Sequence, residues 1–466
     1  MKRIFICMLL AVTACSARPS VPPVNHYLGL LRFPDITYHI YLTMEGTQPE
    51  VINVTFKANK FPLDTIYFRH DSLYFRLAEY FSEYHGLYHH ETGRITGYWT
   101  GEKHKRYPLE FIPVNPDTVS GLHPRTMPYR YMRPQAMRDG LLTDSASHQH
   151  VDVNTINNLM LHIANGTYKD IHSVLIARNN HLIAEEYFYR FHQKSLYNIQ
   201  SATKSIISAL TGIAMARKEI RSIQDPLCAY LPAYKSLACN EQNKTITLEQ
   251  LLTMNTGIPW DEQTYDYIDD RNSLVIASNE KDQFTYLLSL PRHTSNTAVF
   301  AYNSLNHTLM NAVLKHATKL NNKSELTKRI LKPLGIEKYY LGETNPMGVI
   351  GDIDLRPRDM MKFGLLYLNN GQWNGQQLVP ALWIKESTTA HLYPTPTLGY
   401  GYFWWTRNFQ WKEKTVSSFF AWGYGGQYII IIPELQLSIV MSGSHWGTDP
   451  EKQMVDIVEE ILAAVS

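Results

Sequence analysis

The stretch Ser201-Ala202-Thr203-Lys204-Ser205 opens a strongly helical segment and decides how the rest of the chain is interpreted. Residues three apart on an α-helix lie on one face, so this spacing holds the Lys204 amine beside the Ser201 hydroxyl. A serine hydroxyl is a weak nucleophile until a base removes its proton, and a buried lysine can be that base. An apolar stripe that would bury the helix follows in Ile206, Ile207, Leu210, Ile213 and Ala214. Ser201 and Lys204 are therefore a candidate nucleophile and base.

The S-x-x-K spacing alone is weak evidence for a catalytic serine, because a chain of this length contains about one or two such spacings by chance. Four further segments strengthen the assignment. They are Ile246–Gly257 (ITLEQLLTMNTG), Phe300–Ser304 (FAYNS), Asp359–Gly364 (DMMKFG) and Gly423–Gln427 (GYGGQ). In this order and spacing the segments resemble the penicillin-recognising serine hydrolases. They are most similar to the class C β-lactamase-related branch, which includes 6-aminohexanoate-dimer hydrolase and many esterases. The resemblance spans roughly residues 155–466.

The order of helical and strand patterns predicts an α+β fold for this region. A helix near Ile156–Ile163 and a hairpin turning at Asn179-Asn180 open it, and helical patterns cover residues 201–217 and 305–317. Strands at 428–432 and 437–441 and a helix at 454–464 close it. One antiparallel sheet flanked by helices, with a helical subdomain as one wall of a cleft, follows from this order. It is also the β-lactamase-like fold that the resemblance implies.

Residues 24–114 predict a small all-β domain, either a barrel or a sandwich. Period-2 runs such as Thr37–Leu42 and Leu73–Leu77 alternate with turn signals, and aromatic residues are dense, as strands favour. Because no catalytic constellation stands out here, a binding or spacer role is expected. Residues 115–154 carry several prolines and predict a linker or a strap across the hydrolase domain at 155–466.

The first fourteen residues resemble an export signal, with Lys2 and Arg3 before a short apolar core. Residues 12–15 (VTAC) resemble a bacterial lipoprotein cleavage box, which implies that Cys15 becomes the acylated N-terminus, followed by a tether at 15–23. The expected location is the cell membrane or outer membrane, facing the periplasm or cell exterior. A membrane anchor or a wrongly assigned start is the alternative. No later apolar run reaches the roughly 20 residues that span a bilayer.

Charge and cysteine usage narrow the expected partners. The formal net charge is +2 and no basic run occurs, so nucleic acid is not an expected partner. Cys228 and Cys239 remain after the N-terminal cysteines, either as a disulfide or as two independent buried thiols. His148 and His150 lack a third ligand at recognisable spacing and no H-E-x-x-H occurs, so neither a metal nor another cofactor is predicted.

The resemblance implies a proton-transfer role for Tyr302, which matches the tyrosine of the family's Y-x-N motif. Its unperturbed pKa is near 10, so it acts as a base only beside a cation such as Lys204. The family's third motif residue is commonly asparagine, whereas this chain has Ser304, with Asn303 in the middle. A contact that asparagine would make to a substrate amide is therefore in doubt.

The last strand departs further from the family pattern. Where many relatives carry a lysine in K-T-G, residues 421–427 (AWGYGGQ) contain no cation, which argues against penicillin or a D-Ala-D-Ala terminus as the main substrate. Gly423 and Gly425 would let a substrate approach bare backbone. By match to the oligomer hydrolases, the Tyr424 N–H is predicted as the second oxyanion donor beside that of Ser201. An ordinary tight turn is the alternative.

Four other polar residues give less specific indications of a role. Glu262, in Trp260-Asp261-Glu262, belongs either to the cleft wall or to a surface loop. Asp359 is predicted to be a helix N-cap, Gln427 to hold its strand, and His307 to be a satisfied helix histidine.

These features predict an exported, lipid-anchored serine hydrolase that cleaves an ester or amide through an acyl-Ser201 intermediate. The expected substrate is a small molecule or a short peptide-like chain, and the sequence gives no indication of oligomeric state. A β-lactamase or a peptidoglycan D-amino-peptidase is the alternative enzyme. A protein that acylates without turnover, or only binds, is the alternative of another class.

Overall fold

The computed structural model divides into two compact units, Met1–His123 and Pro124–Ser466. The residues that it describes are 25–33, 37–44, 49–54, 59–60, 63, 65–77, 82–101, 104–119, 121–122, 129–267, 269–293, 299–344, 349–445 and 450–466. The predicted export signal and Cys15 lie outside these residues. Each unit has a hydrophobic core of its own.

The first unit is one curled antiparallel sheet. Its strands are β1 His26–Arg32, β2 Thr37–Thr43, β3 Glu50–Asn53, β4 Asn59–Lys60, β5 Thr65–Arg69, β6 Ser72–Leu77, β7 Ser82–His89, β8 Arg94–Thr100 and β9 Arg106–Pro113. They pair in the order β4-β3-β2-β1-β9-β8-β7-β6-β5. Val51 on β3 and Phe75 on β6 belong to the same core although several strands separate them, so the sheet must curl around that core. The predicted small all-β domain is confirmed.

The second unit contains eleven α-helices and thirteen strands within its described residues. The helices are α1 Val153–Ala164, α2 Thr203–Ala216, α3 Lys235–Ala238, α4 Leu248–Leu252, α5 Ser273–Ser278, α6 Gln283–Ser289, α7 Ser304–Thr318, α8 Asn322–Leu326, α9 Pro357–Leu368, α10 Ala381–Ser387 and α11 Pro450–Ala464. The strands are β10 Leu142–Thr143, β11 Ile171–Arg178, β12 His181–Tyr187, β13 Tyr197–Asn198, β14 Tyr340–Thr344, β15 Val349–Leu355, β16 Gln372–Trp373, β17 Gln376–Gln377, β18 Gly399–Tyr400, β19 Trp405–Trp411, β20 Lys414–Gly423, β21 Gln427–Ile432 and β22 Leu437–Gly443.

An eight-stranded sheet forms the centre of this unit, in the order β10-β12-β11-β22-β21-β20-β19-β18. All neighbours pair antiparallel except β10 and β12, which are parallel. Every residue of β21 and β22 is buried, so both faces of the central strands are covered, as their apolar sequence requires. Helix α9 packs against β21 and β22, and α11 packs against β19. The predicted α+β arrangement is confirmed.

Helix α2 is buried along most of its length, from Thr203 to Ala214. The sequence predicts that the helix begins at Ser201, but in the structure Ser201 lies in a one-turn 3₁₀ helix, Gln200–Ala202, just before α2. Gln200 has a left-handed φ of 52°, which a non-glycine residue adopts at some conformational cost. Gln200 is the first residue of this 3₁₀ helix and lies immediately before the serine.

Three other regions of the second unit bear on the sequence predictions. The predicted strap is attached through Tyr129, whose hydroxyl donates to the Glu186 carboxylate at 2.8 Å. The sulfur atoms of Cys228 and Cys239 are bonded at 1.96 Å. Asp359 is not an N-cap, because α9 begins at Pro357 and the Asp359 carboxylate instead accepts from Lys362 at 2.9 Å inside the helix.

Candidate active site

Ser201 and Lys204 lie side by side at the start of α2. The Lys204 amine donates to Ser201 Oγ at 2.8 Å. Only 4% of Lys204 is exposed, because α2 is packed against α7, α10 and β20. The predicted spacing therefore brings the amine to the hydroxyl in a largely water-excluded setting, where a proton can pass between them.

Ser304 extends this contact to a buried carboxylate. Lys204 Nζ also donates to Ser304 Oγ at 3.2 Å, and that hydroxyl donates to Glu262 Oε1 at 2.5 Å. The Lys204 amine and the Glu262 carboxylate are thus joined through one hydroxyl group. Such a bridge relieves part of the cost of burying a charged group.

Glu262 is buried, with 2% of its surface exposed, and its two oxygens accept four hydrogen bonds. Oε1 accepts from the Ser304 and Tyr267 hydroxyls, the second at 3.1 Å. Oε2 accepts from the Ser304 backbone N–H at 2.8 Å and from the Trp260 indole at 2.9 Å. Of the two interpretations that the sequence left open, the structure places Glu262 in the cleft wall and not on a surface loop.

The start of α7 fixes both Ser304 and the Glu262 charge. The Asn303 side chain caps this helix by accepting from the Leu305 N–H at 2.8 Å, which gives a local reason for the middle residue of the Y-N-S segment. Ser304 is the first residue of α7, so its N–H is one of those that a helix leaves without an internal partner. Glu262 binds that N–H, and a carboxylate at a helix N-terminus is favoured by the helix dipole.

The ring of Tyr302, and not its hydroxyl, is the part that lies next to Lys204. Lys204 Nζ is 4.9 Å from the centre of the Tyr302 ring, a cation–π geometry, and the ring stacks on Trp405 with 5.9 Å between centres. Among the described residues, no hydrogen bond joins the Tyr302 hydroxyl to Ser201 or Lys204. The structure therefore brings the tyrosine to the site without forming the predicted proton relay.

The turn between β20 and β21 approaches Ser201 closely. A Cβ atom on Gly423 would lie 2.1 Å from the Ile199 carbonyl oxygen, so bare backbone is needed where this strand meets the segment before Ser201. Gly425 has a φ of 79°, which suits glycine in a tight turn. The close approach therefore explains the glycine at 423, and the positive φ explains the glycine at 425. Tyr424, between them, lines the same cleft as Ser201.

His307, on α7, faces the same side of the site as Lys204. Its ring nitrogens lie 3.1 Å from the Ser304 carbonyl oxygen and 3.2 Å from that of Ile350. Burial, and then the nearby Lys204 charge, lower the pKa of His307 from 6.5 to about 4. The imidazole is therefore neutral at ordinary pH and adds no second cation to the site.

Two clefts meet at Ser201. One, of about 340 Å³, is lined largely by aromatic side chains that include Tyr302, Trp405 and Trp422. The other, of about 380 Å³, is lined by polar groups that include Lys204 and Ser304. Ser201 lines both, so a substrate can reach the hydroxyl from either side.

Neither metal ligands nor a membrane span is found in the parts of the chain that the structure describes. No three or more His, Cys, Asp or Glu side chains are grouped to hold a metal ion there. No helix within the same ranges is both long and apolar enough to cross a bilayer.

A family model described as Beta-lactamase matches residues 172–463, more than half of the chain. The chain belongs to the Beta-lactamase family. Members of this family are serine hydrolases, and the resemblance to the penicillin-recognising enzymes is confirmed. The match begins in β11 and ends in α11, so it covers the strands of the central sheet other than β10 and every residue predicted for the active site.

Individual relatives are distant. "Protein flp" of Staphylococcus aureus (strain MW2) is 27% identical over 184 residues, which is 37% of this chain and 35% of that protein. The chain therefore covers only about a third of that relative's length. A solved structure described as "Putative 6-aminohexanoate-dimer hydrolase from Bacillus anthracis" shares 21% identity at a TM-score of 0.52, covering 63% of this chain and 78% of that one. A class C beta-lactamase shares 13% at a TM-score of 0.52, covering 67% and 96%. These structures support the fold.

Some polar positions have purely structural partners. Gln427 donates to the Gly443 carbonyl at 2.7 Å and holds β21 beside β22, as the sequence predicts. His148 is exposed and bonds Asp144 at 3.1 Å, away from the clefts at Ser201.

Proposed function

We propose that this Beta-lactamase-family protein is a hydrolase that cleaves an ester or amide through a covalent acyl-Ser201 intermediate. The observation that carries the proposal is the 2.8 Å contact between the buried Lys204 amine and Ser201 Oγ. A general base within hydrogen-bonding reach of a hydroxyl is the arrangement that activates a serine nucleophile.

In the proposed reaction, Lys204 first gives up its own proton, and Ser201 Oγ then attacks the substrate carbonyl carbon while the Lys204 amine takes the hydroxyl proton. The bond to the leaving group then breaks, and the leaving oxygen or nitrogen receives that proton through Lys204 or Tyr302. Water repeats the sequence on the acyl-enzyme and releases the acid. The backbone N–H groups of Ser201 and Tyr424 are the proposed donors to the oxyanion.

The charge of the clefts supports an uncharged or positively charged substrate over an anionic one. No Lys, Arg or His occurs among the described residues that line the aromatic cleft, and Lys204 already contacts both Ser201 and Ser304. A substrate carboxylate would therefore lack a free cationic partner. This favours esterase or amidase activity over the runner-up, a β-lactamase or peptidoglycan D-amino-peptidase.

The test is labelling with a fluorophosphonate probe followed by mass spectrometry of the labelled peptide. We expect modification of Ser201, its loss in Ser201→Ala, and its retention in Ser208→Ala. Ser208 is the matched control because it is a buried serine on α2, the helix that carries Lys204, and its hydroxyl has no hydrogen-bond partner among the described residues. Labelling that persists in Ser201→Ala would refute the assignment, and failure of the wild type to label would favour the binding protein. Faster turnover of nitrocefin than of a p-nitrophenyl ester would favour the β-lactamase.

We also propose that the mature protein is anchored by a lipid on Cys15 and faces the periplasm or the cell exterior. The support is the sequence of residues 12–15 (VTAC) after a short apolar segment. Cys15→Ala is expected to remove lipid labelling and to release the protein from membranes on fractionation. A variant that stays membrane-bound after its signal has been removed would contradict this anchor.

A further inference from the structure

The two clefts that meet at Ser201 differ in chemistry. Ser201, Tyr267 and Tyr424 line both clefts, and the rings of the two tyrosines meet edge to face with 4.8 Å between centres. A carbonyl group at Ser201 Oγ would therefore have one substituent on each side of this tyrosine pair. One of these substituents is the acyl chain and the other is the leaving group.

The aromatic cleft suits a flat group without negative charge. Trp405 and Trp422 lie 5.4 Å apart between ring centres, and Tyr302 stacks on Trp405. Glu262 and Asp266 are its only charged lining residues among those described, and the oxygens of Glu262 are already occupied by four donors. Stacking on such walls favours aromatic groups, while the carboxylates repel an anion.

The polar cleft suits a group that forms hydrogen bonds. Its lining includes Lys204, Ser304 and the Gln283 side chain at the first residue of α6, with the exposed Asp352 at its edge. Tyr302, in contrast, lines the aromatic cleft and is not among the lining residues of the polar one. Of the two proton donors proposed above, Lys204 lines the polar cleft and Tyr302 the aromatic one. With Tyr302 as the donor, the leaving group lies in the aromatic cleft, because it must be near the group that protonates it.

We propose that the aromatic cleft holds the leaving group, as a flat aromatic alcohol or amine, and that the polar cleft holds a hydrogen-bonding acyl group. The inference rests on the proposed function and specifies its substrate class. During acylation the bond from carbonyl carbon to leaving oxygen or nitrogen breaks toward Tyr302. The acyl-enzyme that remains then occupies only the polar cleft until water releases it.

The experiment separates the two half-reactions. Two esters with one hydrogen-bonding acyl group, the p-nitrophenyl and trifluoroethyl esters of N-acetylglycine, form the same acyl-enzyme, so their deacylation rate must be identical. Trp422→Ala is expected to lower kcat/KM for the aryl ester by about 3- to 10-fold, the range of one lost aromatic contact, and to change the trifluoroethyl ester little. Deacylation, followed by single-turnover mass spectrometry of Ser201, should be unchanged. Gln283→Ala should alter deacylation and affect both esters alike.

Trp411→Ala is the matched control, because Trp411 is a half-buried tryptophan at the opposite end of the β19–β20 hairpin. If Trp422→Ala does not fold, Tyr265→Leu, at another aromatic residue that lines the same cleft, replaces it. A slower deacylation in the aromatic-cleft variants, or an equal loss for both esters, would overturn the assignment and place the acyl group there. Absence of any acyl-enzyme in the wild type would instead refute the proposed function itself.

Discussion

Replacing Glu262 by glutamine tests whether the buried carboxylate holds the active site together. The carboxylate accepts four hydrogen bonds, two at each oxygen. Glutamine keeps one oxygen and places an NH₂ group, which cannot accept, at the other. Two buried donors therefore lose their acceptor, at about 1.5–3 kcal/mol each for bonds to a charged group, or about 3–6 kcal/mol of unfolding free energy in all. Because Ser304 is then free to rotate and Lys204 loses its bridge, kcat should fall by about 10²-fold.

Urea unfolding and ester hydrolysis, measured on the same preparations, check both numbers. Glu249→Gln is the control: this half-buried carboxylate accepts from the Tyr402 hydroxyl at 2.9 Å and from Gln224 at 2.7 Å, and it lines neither cleft at Ser201. It should lose some stability and keep its kcat. A Glu262→Gln protein that is as stable as the wild type, or one that hydrolyses the ester at the wild-type rate, would refute the reasoning.

Three further changes have defined outcomes. Lys204→Ala and Tyr302→Phe should each lower kcat by orders of magnitude, with a double mutant little worse than the poorer single; losses that multiply would show that Lys204 works alone. Acidification from about pH 6.5 to 4 should remove about 3 kcal/mol of unfolding free energy through His307, because its lowered pKa means that only the unfolded chain takes up the proton in that window. Urea titrations should show a smaller loss for His307→Gln, and an equal loss would contradict the assignment. Gly423→Ala should reduce both stability and ester hydrolysis, since its Cβ would meet the Ile199 carbonyl at 2.1 Å; wild-type values for both would show that the turn can move without cost.

The sequence predicts the parts of the fold whose patterns are local. The period-2 pattern of Leu73–Leu77 indicates a strand, and the apolar run after Lys204 indicates the buried helix α2. It places the start of that helix at Ser201 only because a residue's φ cannot be read from its type. The segment around the left-handed Gln200 is held by the neighbouring Asn198 side chain, which accepts the Gln200 N–H at 2.8 Å, and by a tertiary contact in which the Ile199 N–H donates to the Ile353 carbonyl at 2.9 Å.

The candidate site shows the same division between local and long-range information. The contact between Ser201 and Lys204 follows from helical spacing alone. Glu262 lies some forty residues before Ser304, and nothing in Trp260-Asp261-Glu262 indicates that it folds against the first turn of α7. The only general signal is that a helix N-terminus leaves N–H groups open, which a carboxylate elsewhere in the chain can accept from.

The pairing of Ser304 with Glu262 gives a physical reason why serine can stand where the family commonly has asparagine. A carboxamide oxygen is an acceptor whatever its surroundings, whereas a hydroxyl can turn its proton toward a lysine and cease to accept. Here the Ser304 hydroxyl donates its only proton to Glu262 at 2.5 Å, so its lone pairs remain available to the Lys204 amine at 3.2 Å. The buried carboxylate therefore makes the serine behave as a fixed acceptor. What the hydroxyl does not supply is the carboxamide N–H₂ donor, and a site without that donor has less reason to select an amide carbonyl in the acyl group than one that retains asparagine.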